Sequence, residues 1–142
     1  MAAELIGLIA SIGQVAATGL KLYEYGASVA EAEGRLKGLQ MEIRSTCIVL
    51  ERLGSQLKRK RVRWMLSENT IQATREIVTA CEDRFKALQA YVDKVLRTGA
   101  RAKWTFYFRE AKFEQLRDDL DRMIVRLNAI GTIINVEIQG RR

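Results

Sequence analysis

Three long stretches of this chain place apolar side chains alternately three and four positions apart. The first runs Leu36, Leu39, Ile43, Leu50, Leu53 and Leu57, with Thr46 at the one missing position and Cys47 beside it. The second runs Ile71, Val78, Cys81, Phe85, Leu88, Val92 and Val95, with Thr74 filling the polar gap. The third runs Phe113, Leu116, Leu120, Met123, Leu127, Ile130 and Ile134. A mean spacing of 3.5 is the seam of α-helices that pack at shallow angles, and it cannot serve a strand, whose faces alternate every second residue. A seam threonine can still turn its methyl inward. None of the 142 residues is proline, so nothing interrupts such helices. The length predicts a single domain over residues 1–142 with one real core.

The punctuation places the helices. Gly26 can close a first helix, and Ser28-Val29-Ala30-Glu31 reads as a capping box opening a second. Ser67 is a suitable N-cap for a third, which Gly99 can end. Thr132 to Ile138 is rich in β-branched residues and reads as the fraying end of a fourth. Asp118 with Arg122, and Glu114 with Arg117, stand at spacings that support an exposed helix face. The predicted fold is all-α, a four-helix antiparallel bundle with heptad-like seams, a fifth helix being the alternative. In an up-down-up-down arrangement the end of the second helix and the last residues, Arg141 and Arg142, share a pole with the chain's N-terminus.

The segment before these repeats is of another kind. Residues 5–20 carry no charge. One face holds Leu5, Leu8, Ile9, Ile12, Val15, Ala16 and Leu20; the other holds Gly7, Ala10, Ser11, Gln14, Ala17 and Thr18. A surface helix ordinarily shows a charged outer face. A helix without one is either packed on all sides or able to leave water. Packing on all sides is expected at rest, and it is compatible with later insertion. Sixteen helical residues span about 24 Å against a hydrocarbon core of about 30 Å, so the segment falls short of a standard span. Glu4 and the lack of an early Lys or Arg argue against a signal peptide. These features predict a soluble, cytosolic resting state.

The formal charge of +7 is concentrated. Residues 57–66 hold Lys58, Arg59, Lys60, Arg61 and Arg63 next to Trp64 and have no acid. Residues 97–112 hold Arg97, Arg101, Lys103, Arg109 and Lys112 around Trp104-Thr105-Phe106-Tyr107-Phe108. Basic clusters beside aromatic residues suit anionic lipid headgroups. They also suit nucleic acid, and they equally describe solvated helix ends that complement a C-terminal dipole. Two clusters at opposite poles make no continuous stripe, which counts against nucleic acid as a partner.

Chemistry finds little to work with. Histidine is absent, and with it the commonest general base and zinc ligand. No GxSxG, HExxH or P-loop pattern occurs. Asp118, Asp119 and Asp121 lie among Arg117, Arg122 and Arg126 and read as a solvated face. Cys47 and Cys81 fall inside helical patterns and read as buried free thiols, an interhelical disulfide being the alternative. The chain is expected to be no enzyme and to need no metal or cofactor.

The opening Met1 to Gly26, and the run Arg101-Ala102-Lys103-Trp104 with Phe113-Glu114-Gln115-Leu116-Arg117-Asp118-Asp119-Leu120-Asp121-Arg122 and Leu127-Asn128, resemble fungal HeLo-like domains. Those domains stand at the N-terminus of STAND, or NOD-like, receptors. The resemblance implies a helical bundle that executes or relays programmed cell death. It further implies self-association on activation and exposure of the N-terminal helix to a membrane. On that reading Leu5, Ile6, Leu8, Ile9, Ile12, Val15 and Leu20 would insert. Lys58, Arg59, Lys60, Arg61, Arg63 and Trp64 would meet anionic lipid, and Arg101, Lys103, Trp104 and Arg109 would form a secondary patch. The protein would move from cytoplasm to plasma membrane, with a NOD-like receptor or a homologous domain as a further partner. The alternative is a protein–protein adaptor module without membrane activity. A STAND receptor continues into a nucleotide-binding domain, and no GxxxxGK[ST] lies within these residues, so the chain is expected to be either a piece of such a receptor or a stand-alone effector.

Overall fold

A computed structural model describes residues 2–27, 34–59, 65–97 and 111–140. Among them are four helices: α1 (Ala2–Ala27), α2 (Gly34–Leu57), α3 (Glu68–Arg97) and α4 (Ala111–Gly140). The fold is an all-α bundle, as the seams predict. Every described side chain of the three heptad runs is buried. The two seam threonines are buried as well: Thr46 and Thr74 return their hydroxyls to the carbonyls four residues back, at 2.8 and 2.7 Å, which leaves their methyls to the core.

α1 carries the same repeat, in a form its composition conceals. Leu5, Leu8, Ile12, Val15, Gly19 and Leu22 are buried at spacings of three and four, with Ala16 buried beside them. Gly19 holds a seam place because Cys47 and Phe85 fill the volume a side chain would need. Leu20, placed on the inward face by its hydrophobicity, is instead 47% exposed: the 3.5-residue repeat passes through positions 19 and 22.

Consecutive helices run antiparallel, and the end of α2 shares a pole with the start of α1, as expected. The ring order differs from that of a simple meander. α1 packs on α2 and α3, and α4 packs on the same two, so the diagonals are α1/α4 and α2/α3. Contacts fix the directions. Along α1 and α2, Gln40 donates to the Tyr23 carbonyl and the Cys47 thiol to that of Ala16. Along α2 and α4, Arg117 meets Glu42 at 3.0 Å and Gln56 donates to the Gly131 carbonyl at 3.0 Å, so these neighbours are parallel. Phe85 lies over Gly19 and Asp93 beside Tyr25, so α1 and α3 are parallel too. α2 and α3, consecutive in the chain, therefore lie at opposite corners of the bundle. Leu66, just before α3, is buried in the core at that pole.

The end of α4 does not fray. The helix continues to Gly140, and Glu137 on it accepts hydrogen bonds from the Ser67 amide (3.1 Å), the Ser67 hydroxyl (2.9 Å) and the Thr70 hydroxyl (2.6 Å). Ser67 is the N-cap of α3, its hydroxyl accepting from the Thr70 amide at 3.2 Å. A carboxylate at a helix N-terminus also meets the positive end of the dipole. Tertiary pairing thus outweighs the weak helix propensity of the β-branched run. On the exposed surface, Arg122 pairs with Asp119 at 3.9 Å, and Arg84 reaches the same carboxylate at 3.5 Å.

Candidate functional site

The part of the molecule that departs from an ordinary soluble bundle is the outer face of α1. Opposite its seam stand Ile6, Ala10, Gly13, Gln14 and Ala17, all exposed. Ser11 and Thr18 are exposed along one margin and Leu20 along the other. No ionisable group interrupts this surface between Glu4 and Lys21. The expectation that α1 is packed on all sides is therefore not met. With α2 and α3 as its neighbours and α4 across the diagonal, nothing among the described residues covers the fourth side.

The residues named as an inserting surface are divided by the fold. Leu5, Leu8, Ile12 and Val15 point into the core. Ile9 is half-buried at the edge, where with Ile12, Gly13 and Ala16 it lines a groove of about 280 Å³ against Glu51, Gly54, Ser55 and Lys58 of α2 and the turn after it. Ile6 is 66% exposed. Gly54 lets α2 approach closely: a Cβ there would come within 3.3 Å of Ile12.

The helix is also longer than its uncharged centre. The window Glu4–Tyr25, 22 residues, is long and apolar enough to cross a membrane, and 39% of it is buried. At 1.5 Å per residue it spans about 33 Å, which matches a hydrocarbon core. The uncharged stretch within it, residues 5–20, spans about 24 Å.

Lys58 and Arg59 are exposed at the pole of the α1 N-terminus, and Lys58 rims the groove just described. Lys60, Arg61, Arg63 and Trp64 lie outside the described residues, as do Arg101, Lys103, Trp104, Arg109, Arg141 and Arg142 and the caps proposed at Ser28 and Gly99.

Elsewhere the titratable groups are structural. Cys47 and Cys81 are buried and free. Burial, with a contribution from Glu51, pushes the Cys47 thiol up to about 11. Burial, with one from Cys47, pushes Cys81 to about 12, so neither supplies a thiolate at neutral pH. Glu42 sits between α2 and α4 against Arg117 and Asp121. One of its oxygens has no hydrogen-bond partner, and burial holds its carboxyl above the ordinary value despite Arg117. Among the described residues no group of three or more His, Cys, Asp or Glu comes together to hold a metal ion.

Compared with protein-family models, characterised proteins and solved structures, the chain matches none.

Proposed function

We propose that this is a membrane-targeting bundle of the cell-death effector kind, in which α1 is the element that meets lipid. The observation that carries the reading is a helix of membrane length whose outer face is open to solvent and, between Glu4 and Lys21, uncharged. The HeLo-like resemblance of the opening residues supports the same assignment and supplies the biological role. At rest the helix is held by its inner face. Burying one Val, Leu or Ile side chain stabilises by about 1.5–3 kcal/mol, so Leu5, Leu8, Ile12 and Val15 together hold α1 by roughly 6–12 kcal/mol. That is comparable to the whole stability of a domain, so release needs a trigger such as clustering. The basic residues from Lys58 to Arg63 contribute about 1 kcal/mol each near an anionic surface, roughly 5 in all, enough to localise the protein but not to insert a helix.

Dye release from liposomes tests this. Leakage is expected from anionic vesicles, more than from neutral ones, and is expected to be lost with Ile6→Glu. That variant places a charge on the exposed face and spares the core, whereas charges at Leu8 or Ile12, 2% and 1% exposed, would unfold the bundle. A folded Ile6→Glu protein that still permeabilises, or an intact protein that fails even when tethered at high density, would sink the reading. Failure would favour the adaptor alternative, for which the exposed Val125, Ile133 and Val136 of α4 are the supporting observation.

A further inference from the structure

α1 is not the only helix with an uncharged outer face. In α4 no charge occurs from Leu127 to Asn135 and Val136, and Val125, Ala129, Ile133 and Val136 are exposed on the side away from the seam. The two faces stand at the same height. Ile12 packs on Gly54, and Gln56, half a turn on, reaches Gly131. Tyr23 receives Gln40, and Glu42, half a turn on, grips Arg117. Thus Ile6 lies level with Ile133 and Val136, and Lys21 level with Asp118. Because α1 and α4 occupy opposite corners of the ring, their outer faces point in opposite directions.

We infer that the partner of the α1 face is the α4 face of a second copy of this chain. Placing copies side by side in the same orientation sets α1 antiparallel to the next copy's α4. Ile6 then meets Ile133 and Val136, the first half of the uncharged α1 face meets the uncharged 127–136 stretch, and Lys21 meets Asp118. Within the chain neither Lys21 nor Asp118 has an ion-pair partner among the described residues, and both are exposed on their outer faces. Gln14, the amide on the α1 face, stands at the level of Arg122 and Arg126 and offers an acceptor there. The contact joins two different patches, so it does not stop at a dimer: it propagates to a ring or a filament. Its footprint is a helix face about 25 Å long and about 10 Å wide, well below the 800 Å² a side of a standard interface. Assembly is therefore weak in dilute solution and governed by local concentration. This gives the self-association invoked above a surface, and it stands without any membrane step.

The test is mass against concentration in the absence of lipid, by light scattering or sedimentation. The intact protein should grow beyond a dimer as concentration rises. Ile6→Glu and Val136→Glu, both at exposed positions, should each weaken association at least tenfold. Mixed one to one they should form a dimer and nothing larger, because each supplies the face the other lacks. Lys21→Glu should weaken assembly, and adding Asp118→Lys to it should restore it. A protein that stays monomeric overturns the inference, as does assembly blocked by Ile6→Glu but not by Val136→Glu, which marks a symmetric α1–α1 contact. A monomer that binds vesicles through α1 alone also overturns it, and would leave the membrane reading intact. Conversely, Val136→Glu that loses assembly while Ile6→Glu leaves leakage unchanged would separate the two in the other direction.

Discussion

Adding a methyl group at Gly19 would drive a Cβ to 2.5 Å from the Cys47 sulfur and 2.7 Å from the Phe85 ring, in a core where neither neighbour has room to retreat. Gly19→Ala is therefore expected to destabilise the fold by about 1–3 kcal/mol, the cost of overpacking, although alanine is the better helix former. Gly13 is the control: no atom lies within 4 Å of the added carbon, so Gly13→Ala should stabilise by up to about 1 kcal/mol. Urea titration of the two variants reads both signs. Glu42 makes a third prediction at this scale. Its carboxyl lies above the ordinary value in the folded state, chiefly through burial, then through Asp121 against the opposing pull of Arg117. A raised carboxyl binds its proton more tightly when folded. Its contribution is complete below the unfolded-state value and is lost as pH rises through the folded one. Stability should thus gain from this group on mild acidification from neutral pH, and Glu42→Gln should remove that part of the gain. Denaturation midpoints across that pH range check it.

Among the elements, the junction of α3 and α4 adds polar ties to the packing of Leu66, Ile71, Ile130 and Ile134. Glu137 ties the last turns of α4 to Ser67 and Thr70 at the start of α3. Hydrogen bonds to a charged acceptor contribute about 1.5–3 kcal/mol each, less when they share one carboxylate. Glu137→Ala is expected to cost a few kcal/mol at most and, more tellingly, to raise amide exchange in the first turn of α3 and the last turns of α4 together. Exchange confined to α4 would mean the cap holds α3 unaided. α1 presents the opposite case. Its seam is ordinary, but between Glu4 and Lys21 its outer face is neither charged nor covered by any described residue, a feature it shares with the 127–136 stretch of α4.

At the scale of the whole molecule, the two thiols report on the core. Cys47 and Cys81 are enclosed by it, and burial suppresses their ionisation. At pH 8 their reaction with a thiol reagent should follow global unfolding: slow in the native protein, accelerated in step by Gly19→Ala, and little changed by substitutions on the outer faces. Rapid native-state labelling would show that the helices open locally. The register of each of the three long seams was legible in the sequence, down to the threonines, because a 3.5-residue apolar repeat and a helix of 3.6 residues per turn leave one face to bury. The helix directions followed, since connections of this length reverse the chain. The α1 seam was only half legible, because Gly19 carries no hydrophobic signal and owes its place to the size of Phe85 on another helix. Likewise the persistence of α4 to Gly140 rests on Glu137 finding Ser67, a partner 70 residues away. What the sequence by itself determined is that the long seams are helical, which face of most helices is apolar and where charge is missing, all properties of neighbours along one helix. Only the tertiary structure decided which helices adjoin, that α2 and α3 lie across a diagonal, and that the uncharged side of α1 faces solvent. Those outcomes depend on how side chains of different helices fit one another, and no periodicity within a single segment encodes that fit.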